Sequence, residues 1–116
     1  MKRPKYKNKK VVIDGIKFDS KKEAKRYEDL QLLKRAGYIE NLEIQPKFEL
    51  VKGVKFRGDK RAKPAIRYFA DFAYTNTETK ERVVEDVKSA ITKKSAVYRL
   101  KKHMMLAIHG IEVVET

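Results

Sequence analysis

The sequence predicts a small α/β protein in which a mixed sheet, an antiparallel meander plus a C-terminal strand, is flanked by two helices and preceded by a hairpin. Two helical segments with apolar residues three and four positions apart, and several short alternating segments between turn residues, indicate this class. A length of 116 residues and a hydrophobic fraction of 41% suit one domain with a core. We expect a poorly ordered basic arm over residues 1–10 and a single domain over residues 11–116.

The domain is expected to begin with a hairpin and a capped helix. An Asp-Gly pair between apolar residues in segment 11–18 is typical of a type I′ turn between two strands. Ser20 and Glu23 form the S-x-x-E pattern of a capping box, which predicts a helix that ends at Gly37. The residues that share one face of this helix are Ala24, Tyr27, Leu30 and Leu33.

The middle of the chain is expected to contain strands and one basic loop. Segment 39–50 reads as a strand interrupted at Gln45-Pro46, because proline cannot donate to a sheet. Segment 52–64 has six Lys or Arg, two Gly and one Pro, which predicts a loop. Segments 65–75 and 81–88 read as two strands joined by a tight turn.

A second long helix is predicted over residues 92–109, followed by Gly110 as its stop and by a short strand in segment 111–115. We expect its apolar stripe to face the core. The stripe consists of Val97, Leu100, Met104, Ala107 and Ile108. His103 and His109 lie off this stripe on different sides, so they are not expected to form a zinc pair.

The charge of the chain is the first indication of its function. The 29 Lys and Arg residues against 16 Asp and Glu residues give a formal net charge of +13, which favours nucleic acid as partner. We expect no membrane, because neither helix opposes a wide apolar face to a basic one and no apolar run is long enough to span a bilayer. The absence of cysteine excludes disulfides and thiolate sites and fits a cytoplasmic compartment.

The two central strands are predicted to bring two acids and one lysine together. If a four-residue loop, Thr77–Lys80, joins the strands, Asp71 faces Asp86 on one side of the sheet, and Lys88 shares that side. Facing carboxylates repel each other unless one is protonated or a cation lies between them. Because Mg²⁺ often uses one or two carboxylates with water and phosphate, the three residues predict metal-assisted phosphodiester hydrolysis with Lys88 acting on the attacking water.

Neighbouring residues have both functional and simpler interpretations. Glu23 lies near the middle of the inward helix face and is either a third metal ligand or only a helix cap. Asp71 could instead pair with Lys88 or Arg67. Glu85 points to the opposite face by alternation, and it becomes a candidate only if a bulge shifts the register.

Further basic residues are candidates for DNA contacts. Lys94 and Lys101 flank the stripe of the second helix beside Tyr98, where they either contact phosphates or extend over the edge of the core. The arm either follows a phosphate backbone or is a solubilising tail. The candidate DNA-binding residues of the arm and the loop are Lys2, Arg3, Lys5, Lys7, Lys55, Arg57, Lys60, Arg61 and Lys63.

Several motifs resemble a known group of nucleases. Asp71, followed by Glu85-Asp86-Val87-Lys88 on the next strand, resembles the D…(D/E)-x-K signature of the PD-(D/E)XK, or restriction-endonuclease-like, superfamily. The order of helix, meander, helix and strand also resembles its core. FDSKKEAKRYEDL, IQPKFEL, YFADFAY and VVEDVK look like a phage-encoded family of endonuclease or Holliday-junction-resolvase-like proteins. Ala70 stands where the superfamily name has proline.

This resemblance implies a restriction-endonuclease-like fold and an endodeoxyribonuclease dependent on Mg²⁺ or Mn²⁺. By it, Asp71 and Asp86 would be metal ligands, Lys88 the catalytic lysine, Glu23 a further acid and Gln45 a neighbour of the site. It also implies a homodimer that cuts branched DNA in phage recombination or replication, in the host cytoplasm. The alternatives are a non-catalytic nucleic-acid-binding module and a small basic assembly protein.

Overall fold

The computed structural model describes residues 10–116, so the candidate DNA-binding residues of the arm lie outside the described part. The described chain is, as predicted, a small α/β protein with two main helices; its strands form three small sheets. In chain order the elements are β1 (Val11–Ile13), β2 (Ile16–Phe18), α1 (Lys21–Arg35), β3 (Ile39–Ile44), β4 (Lys47–Val51), β5 (Ile66–Phe69), β6 (Phe72–Asn76), β7 (Arg82–Asp86), α2 (Ala90–Lys93), α3 (Ala96–His109) and β8 (Val114–Glu115).

Local sequence explains the N-terminal hairpin and α1, and both predictions are confirmed. Asp14 and Gly15 have φ angles of 53° and 77°, the left-handed geometry that a type I′ turn requires. The Ser20 side chain accepts a hydrogen bond of 3.1 Å from the backbone amide of Glu23, which caps the helix. The helix ends before Gly37, whose φ is 84°.

The central sheet has strand order β3-β6-β7-β8, with antiparallel pairs throughout the meander and a parallel pair between β7 and β8. Tyr74 pairs with Val83, which is the predicted register of the β6–β7 hairpin. The adjacent residues Phe72 and Ala73 belong to different apolar clusters, so the sheet has a core on each face. α1 packs into one cluster, and α3 packs into the other.

The single strand predicted over residues 65–75 is wrong, because the chain bends at Ala70–Asp71. β5 pairs with β4 in a separate two-stranded sheet, whereas β6 belongs to the central sheet. The opposite strand bends at the same level, at the predicted interruption Gln45–Pro46, and Gln45 has a φ of 53°. Hydrogen bonds from the Ala70 amide to the Pro46 carbonyl (3.1 Å) and from the Gln45 amide to the Asp71 carbonyl (2.8 Å) join the two bends.

The second helix also differs from its prediction. It divides into α2 and α3, because Ser95 caps a new helix by accepting a hydrogen bond of 3.4 Å from the Tyr98 amide. The buried residues of α3 are Tyr98 and Met105, while Val97 and Leu100 are 63% and 61% exposed. The predicted apolar stripe therefore faces largely away from the sheet. No helix within residues 10–116 is long and apolar enough to cross a membrane.

Candidate functional site

The bend after β5 places Asp71 beside the end of β7. The Asp71 amide donates to the Glu85 carbonyl (3.1 Å), and Asp71 Oδ2 accepts from the Val87 amide (2.7 Å). These bonds continue the hairpin register past the last strand pair, so that the Asp71 and Asp86 side chains come within hydrogen-bonding reach. The predicted facing of the two acids is therefore confirmed.

Asp86 is fully buried, and its two oxygen atoms differ in their surroundings. The Tyr68 hydroxyl donates a hydrogen bond to Oδ2. Lys88 Nζ lies 3.2 Å from Oδ1, but Oδ1 has no hydrogen bond of good geometry from any described residue. The ion pair with Lys88 is therefore the contact that compensates the charge on Oδ1.

Lys88 is held between Asp86 and the second helix. Its ammonium group lies 4.9 Å from the centroid of the Tyr98 ring, and 19% of its side chain is exposed. The Tyr98 hydroxyl donates to Glu115 (2.7 Å), whose second carboxylate oxygen is 3.4 Å from Lys102 Nζ. This chain of contacts orients the lysine and leaves part of its side chain exposed to solvent.

The acids and Lys88 adjoin an open pocket of about 360 Å³ at the first turn of α1. Glu23, Asp71, Lys88 and Lys22 are among the residues that line it. Glu23 is 7% exposed and lies within hydrogen-bonding reach of Asp71, so its predicted inward orientation is confirmed. Asp86 is not on the pocket wall, but it contacts the wall residues Asp71 and Lys88.

Burial and mutual repulsion change how these acids bind protons. Burial raises the pKa of Asp71 to about 8, with additional upward contributions from the hydrogen bond to Asp86 and from the charge of Asp86. The Val87 amide opposes this change. Burial also raises the pKa of Glu23 above its ordinary value. Near neutral pH, the Asp71 carboxyl therefore keeps a proton in the metal-free protein. A bound cation could supply the positive charge in place of that proton.

The donor set of this cluster suits a hard cation bound by few protein ligands. Within residues 10–116, no group of three or more His, Cys, Asp or Glu side chains forms an arrangement that could hold a metal ion. Mg²⁺, however, is usually held by only one or two carboxylates and completes its shell with waters and substrate phosphate. Asp71 and Asp86 are two neighbouring carboxylates that could serve in that mode, and Glu23 lies beside Asp71.

Glu85 has a structural role on the opposite face of the sheet. The β6–β7 pairing contains no bulge, so the side chains of Glu85 and Asp86 point to opposite faces of the sheet. Glu85 is 1% exposed. Arg26 binds both of its carboxylate oxygens, at 2.7 and 2.6 Å, and the Tyr74 hydroxyl donates to it as well. This bidentate pair satisfies the buried charge, so the condition under which Glu85 would replace Asp86 is not met.

The remaining candidates lie at different distances from the pocket. Gln45 contacts Asp71 through its backbone, but its side chain is exposed and does not line the pocket. Tyr98 touches Lys88, whereas Lys101 and Lys94 are not among the wall residues. The loop residues Lys55, Arg57, Lys60, Arg61 and Lys63 are all exposed.

Three neighbours of the site were not predicted from the sequence. Tyr68 donates to Asp86, Lys22 donates to the Lys88 carbonyl (3.3 Å), and Glu115 pairs with Asp86 across the parallel β7–β8 ladder. Lys22 precedes Glu23 in the first turn of α1, so its position could have been read from the helix. The contacts of Tyr68 and Glu115 depend on the Ala70–Asp71 bend and on how the predicted final strand pairs with β7, and no sequence pattern specifies either.

A larger groove, of about 610 Å³, lies along α3. Glu112 is the only acidic residue on the described part of its wall, where Arg99, Lys102 and His103 are also found. This groove has no pair of carboxylates, so it has fewer ligands for a cation than the pocket beside Asp71.

Fold and site together define a small basic α/β protein with a carboxylate–lysine pocket. The chain belongs to the family described as "Protein of unknown function (DUF1064)", whose model matches residues 3–111. No curated protein and no solved structure matches it.

Proposed function

We propose that this protein is a divalent-metal-dependent DNA endonuclease that hydrolyses phosphodiester bonds. The observation that carries the proposal is the convergence of Asp71, Asp86 and Lys88 beside one pocket of a chain with a net charge of +13. Buried facing acids oppose the folded state and would repel DNA phosphates. A bound cation that also contacts phosphate would remove both the repulsion between the acids and the repulsion of DNA. A purely structural role for the acids does not explain why they lie so close together.

Each residue has a defined role in this proposal. Mg²⁺ or Mn²⁺, when bound, would polarise the scissile phosphate and make water more acidic. Asp71 and Asp86 would hold the cation, and Glu23 would orient water or serve only as the helix cap. The water oxygen bonds to phosphorus and its proton passes to solvent, while the bond from phosphorus to one deoxyribose oxygen breaks and that oxygen takes a proton from solvent. Lys88 positions the attacking water or stabilises the negative charge that develops on the phosphate.

Cations outside the pocket would supply most of the affinity for DNA. Each neutralised phosphate releases counterions, so we expect binding to weaken steeply as salt increases. The proposed contacts are the exposed loop residues and Lys94, together with the basic residues of the arm. We also propose that the preferred substrate is branched DNA, such as a Holliday junction, in phage recombination or replication, which rests on the sequence resemblance.

The test is cleavage of supercoiled plasmid and of labelled branched DNA, with Mg²⁺, with Mn²⁺ and with EDTA. Asp86→Asn and Asp71→Asn should abolish cleavage while DNA binding persists. The matched control is Glu78→Gln, which removes one exposed negative charge at the opposite end of the β6–β7 hairpin. Cleavage that persists in both aspartate variants would refute the proposed site.

The second candidate is a non-catalytic nucleic-acid-binding module. The finding that favours it is the lack of a three-residue metal group among the described side chains. Tight DNA binding without cleavage in any metal, and without a metal-induced rise in melting temperature, would support this module. A rise with Mg²⁺ or Mn²⁺ would favour the nuclease.

We further propose that the active form is a homodimer, because two cuts in a branched substrate need two sites. The exposed stripe of α3 includes Val97, Leu100 and Ile108, whose three- and four-residue spacing with Met104 suits packing against the same helix of a second copy. Sedimentation should show a dimer, and Leu100→Glu should make it monomeric. A monomer at the concentrations that cut DNA would refute this proposal.

A further inference from the structure

Residues 47–69 form a two-stranded ribbon. The β4–β5 ladder pairs Lys47 with Phe69 and Val51 with Ile66. Beyond it, Val54 and Lys63 exchange two backbone hydrogen bonds, of 3.2 and 2.6 Å, so that the pairing continues into the basic loop. The predicted loop is therefore partly an extension of the hairpin.

The far end of the ribbon is a defined turn that displays an aromatic ring. The Asp59 amide donates to the Phe56 carbonyl (3.1 Å), and Gly58 has a φ of 90°. At Gly53, a Cβ atom would lie 2.6 Å from the Lys63 carbonyl oxygen, so only glycine lets the two strands approach this closely. Phe56, at this end, is 62% exposed.

The two faces of the ribbon differ in character. Phe48, Leu50 and Tyr68 are buried on the face that packs into the core. Phe69 is 60% exposed on the other face. The ribbon has eight Lys or Arg against two acidic residues, a net charge of +6. Exposed aromatic rings among many cations are the features that single-stranded nucleic acid binders use for base stacking and backbone contact.

The ribbon begins at the candidate active site. Its base is fastened by the hydrogen bonds that join the Gln45–Pro46 and Ala70–Asp71 bends, and Phe69 is two residues from Asp71. At a strand rise of about 3.3 Å per residue, the eight steps from Lys63 to Asp71 span about 26 Å. This length is enough to cross a DNA major groove of about 12 Å beside the pocket.

We propose that the ribbon binds DNA and recognises unpaired bases. Phe56 stacks on a base at the tip of the ribbon, and the flanking Lys55 and Arg57 contact phosphates. Lysine and arginine alone would suffice for paired duplex, where the bases are already stacked. The exposed ring has a partner only where a base is unstacked. This inference rests on the proposed function, because the same DNA would reach the Asp71–Asp86 pocket.

The first test measures DNA affinity in EDTA, so that cleavage plays no part. Phe56→Ala should weaken binding of a single-stranded oligonucleotide at least about fivefold and binding of the matching duplex less than about twofold. Tyr38→Ala is the matched control, because Tyr38 is another exposed aromatic residue (66%), located beside the β6–β7 turn at the end of β3 opposite the ribbon. Equal melting temperatures of the variants would exclude misfolding, since Phe56 contributes little buried area.

The second test uses the absence of tryptophan from the chain. In Phe56→Trp, fluorescence should be quenched by the single strand and little changed by the duplex, whereas Tyr38→Trp should respond to neither. Equal losses of affinity on both DNAs, no loss, or an unquenched tryptophan would overturn the stacking role. Stacking without Mg²⁺-dependent cleavage would refute only the nuclease, and failure of the unaltered protein to bind DNA would refute both.

Discussion

The carboxyl group of Asp71 should make the metal-free protein less stable as the pH rises. Its pKa is raised to about 8 in the folded protein from an ordinary value of 3.8. Between these values the folded state binds more protons than the unfolded chain, so the free energy of unfolding must fall with increasing pH. This direction is opposite to that of an ordinary salt-bridged aspartate, whose pKa is lowered by folding.

The size of the effect follows from the same pKa. One proton corresponds to about 1.4 kcal/mol per pH unit, so the interval from about pH 5 to pH 8 gives a ceiling of about 4 kcal/mol. Solvent in the open pocket screens the charges, and we therefore expect a decrease of about 2 kcal/mol. Mg²⁺ at about one hundred times its dissociation constant should restore about 2.7 kcal/mol near pH 8.

The assay is urea unfolding followed by circular dichroism across this pH range, in EDTA. Asp71→Asn keeps the shape of the side chain and an acceptor for the Val87 amide, but it cannot titrate, so its stability should decrease less. The difference between the two proteins isolates the contribution of this group, and Glu78→Gln should behave like the unaltered protein. Identical pH dependence with and without the carboxyl, in the absence of metal, would refute the reasoning.

Substitutions at three further residues separate catalysis, positioning and stability. Lys88→Met should reduce cleavage at least about one-hundredfold and leave DNA affinity nearly unchanged. Gel assays of cleavage and of binding check this, and near-normal cleavage would contradict it. Tyr98→Phe keeps the ring beside Lys88 and should cost about 1 kcal/mol of stability with cleavage retained, whereas Tyr98→Leu, which also removes the ring, should lower cleavage. Glu85→Gln should destabilise by about 3 kcal/mol in urea unfolding, because it breaks the buried pair with Arg26, yet Mg²⁺-dependent stabilisation should remain; loss of metal response at normal stability would place Glu85 in the site.

Predictions that depend on neighbouring residues agree well with the structure. The Asp-Gly turn, the Ser20–Glu23 cap and the register of the β6–β7 hairpin each follow from interactions within a few residues. The hairpin register alone was sufficient to bring Asp71 and Asp86 together, because strand pairing across a short turn is determined by the turn itself. This part of the candidate site was therefore accessible from the sequence.

Predictions that depend on what covers a surface were less successful. A helical wheel shows which residues of α3 share a face, but the sheet buries Tyr98 and Met105 and leaves Leu100 exposed. The apolar alternation of segment 65–75 continues across Ala70–Asp71, although the bend opposite Gln45–Pro46 divides it between two sheets. Neither outcome follows from periodicity, because both depend on contacts with distant segments.

The sequence by itself determined the basic character of the chain, the order of its elements and the pair of acids with one lysine that the central hairpin presents. Only the tertiary structure decided which partners these residues have: Glu23 turns toward Asp71, Tyr68 binds Asp86, and Arg26 pairs with Glu85 on the opposite face. The physical reason is range. Turns, caps and hairpin registers arise from interactions between residues close in sequence, whereas Arg26 and Glu85 are 59 residues apart and meet only because α1 packs against the sheet.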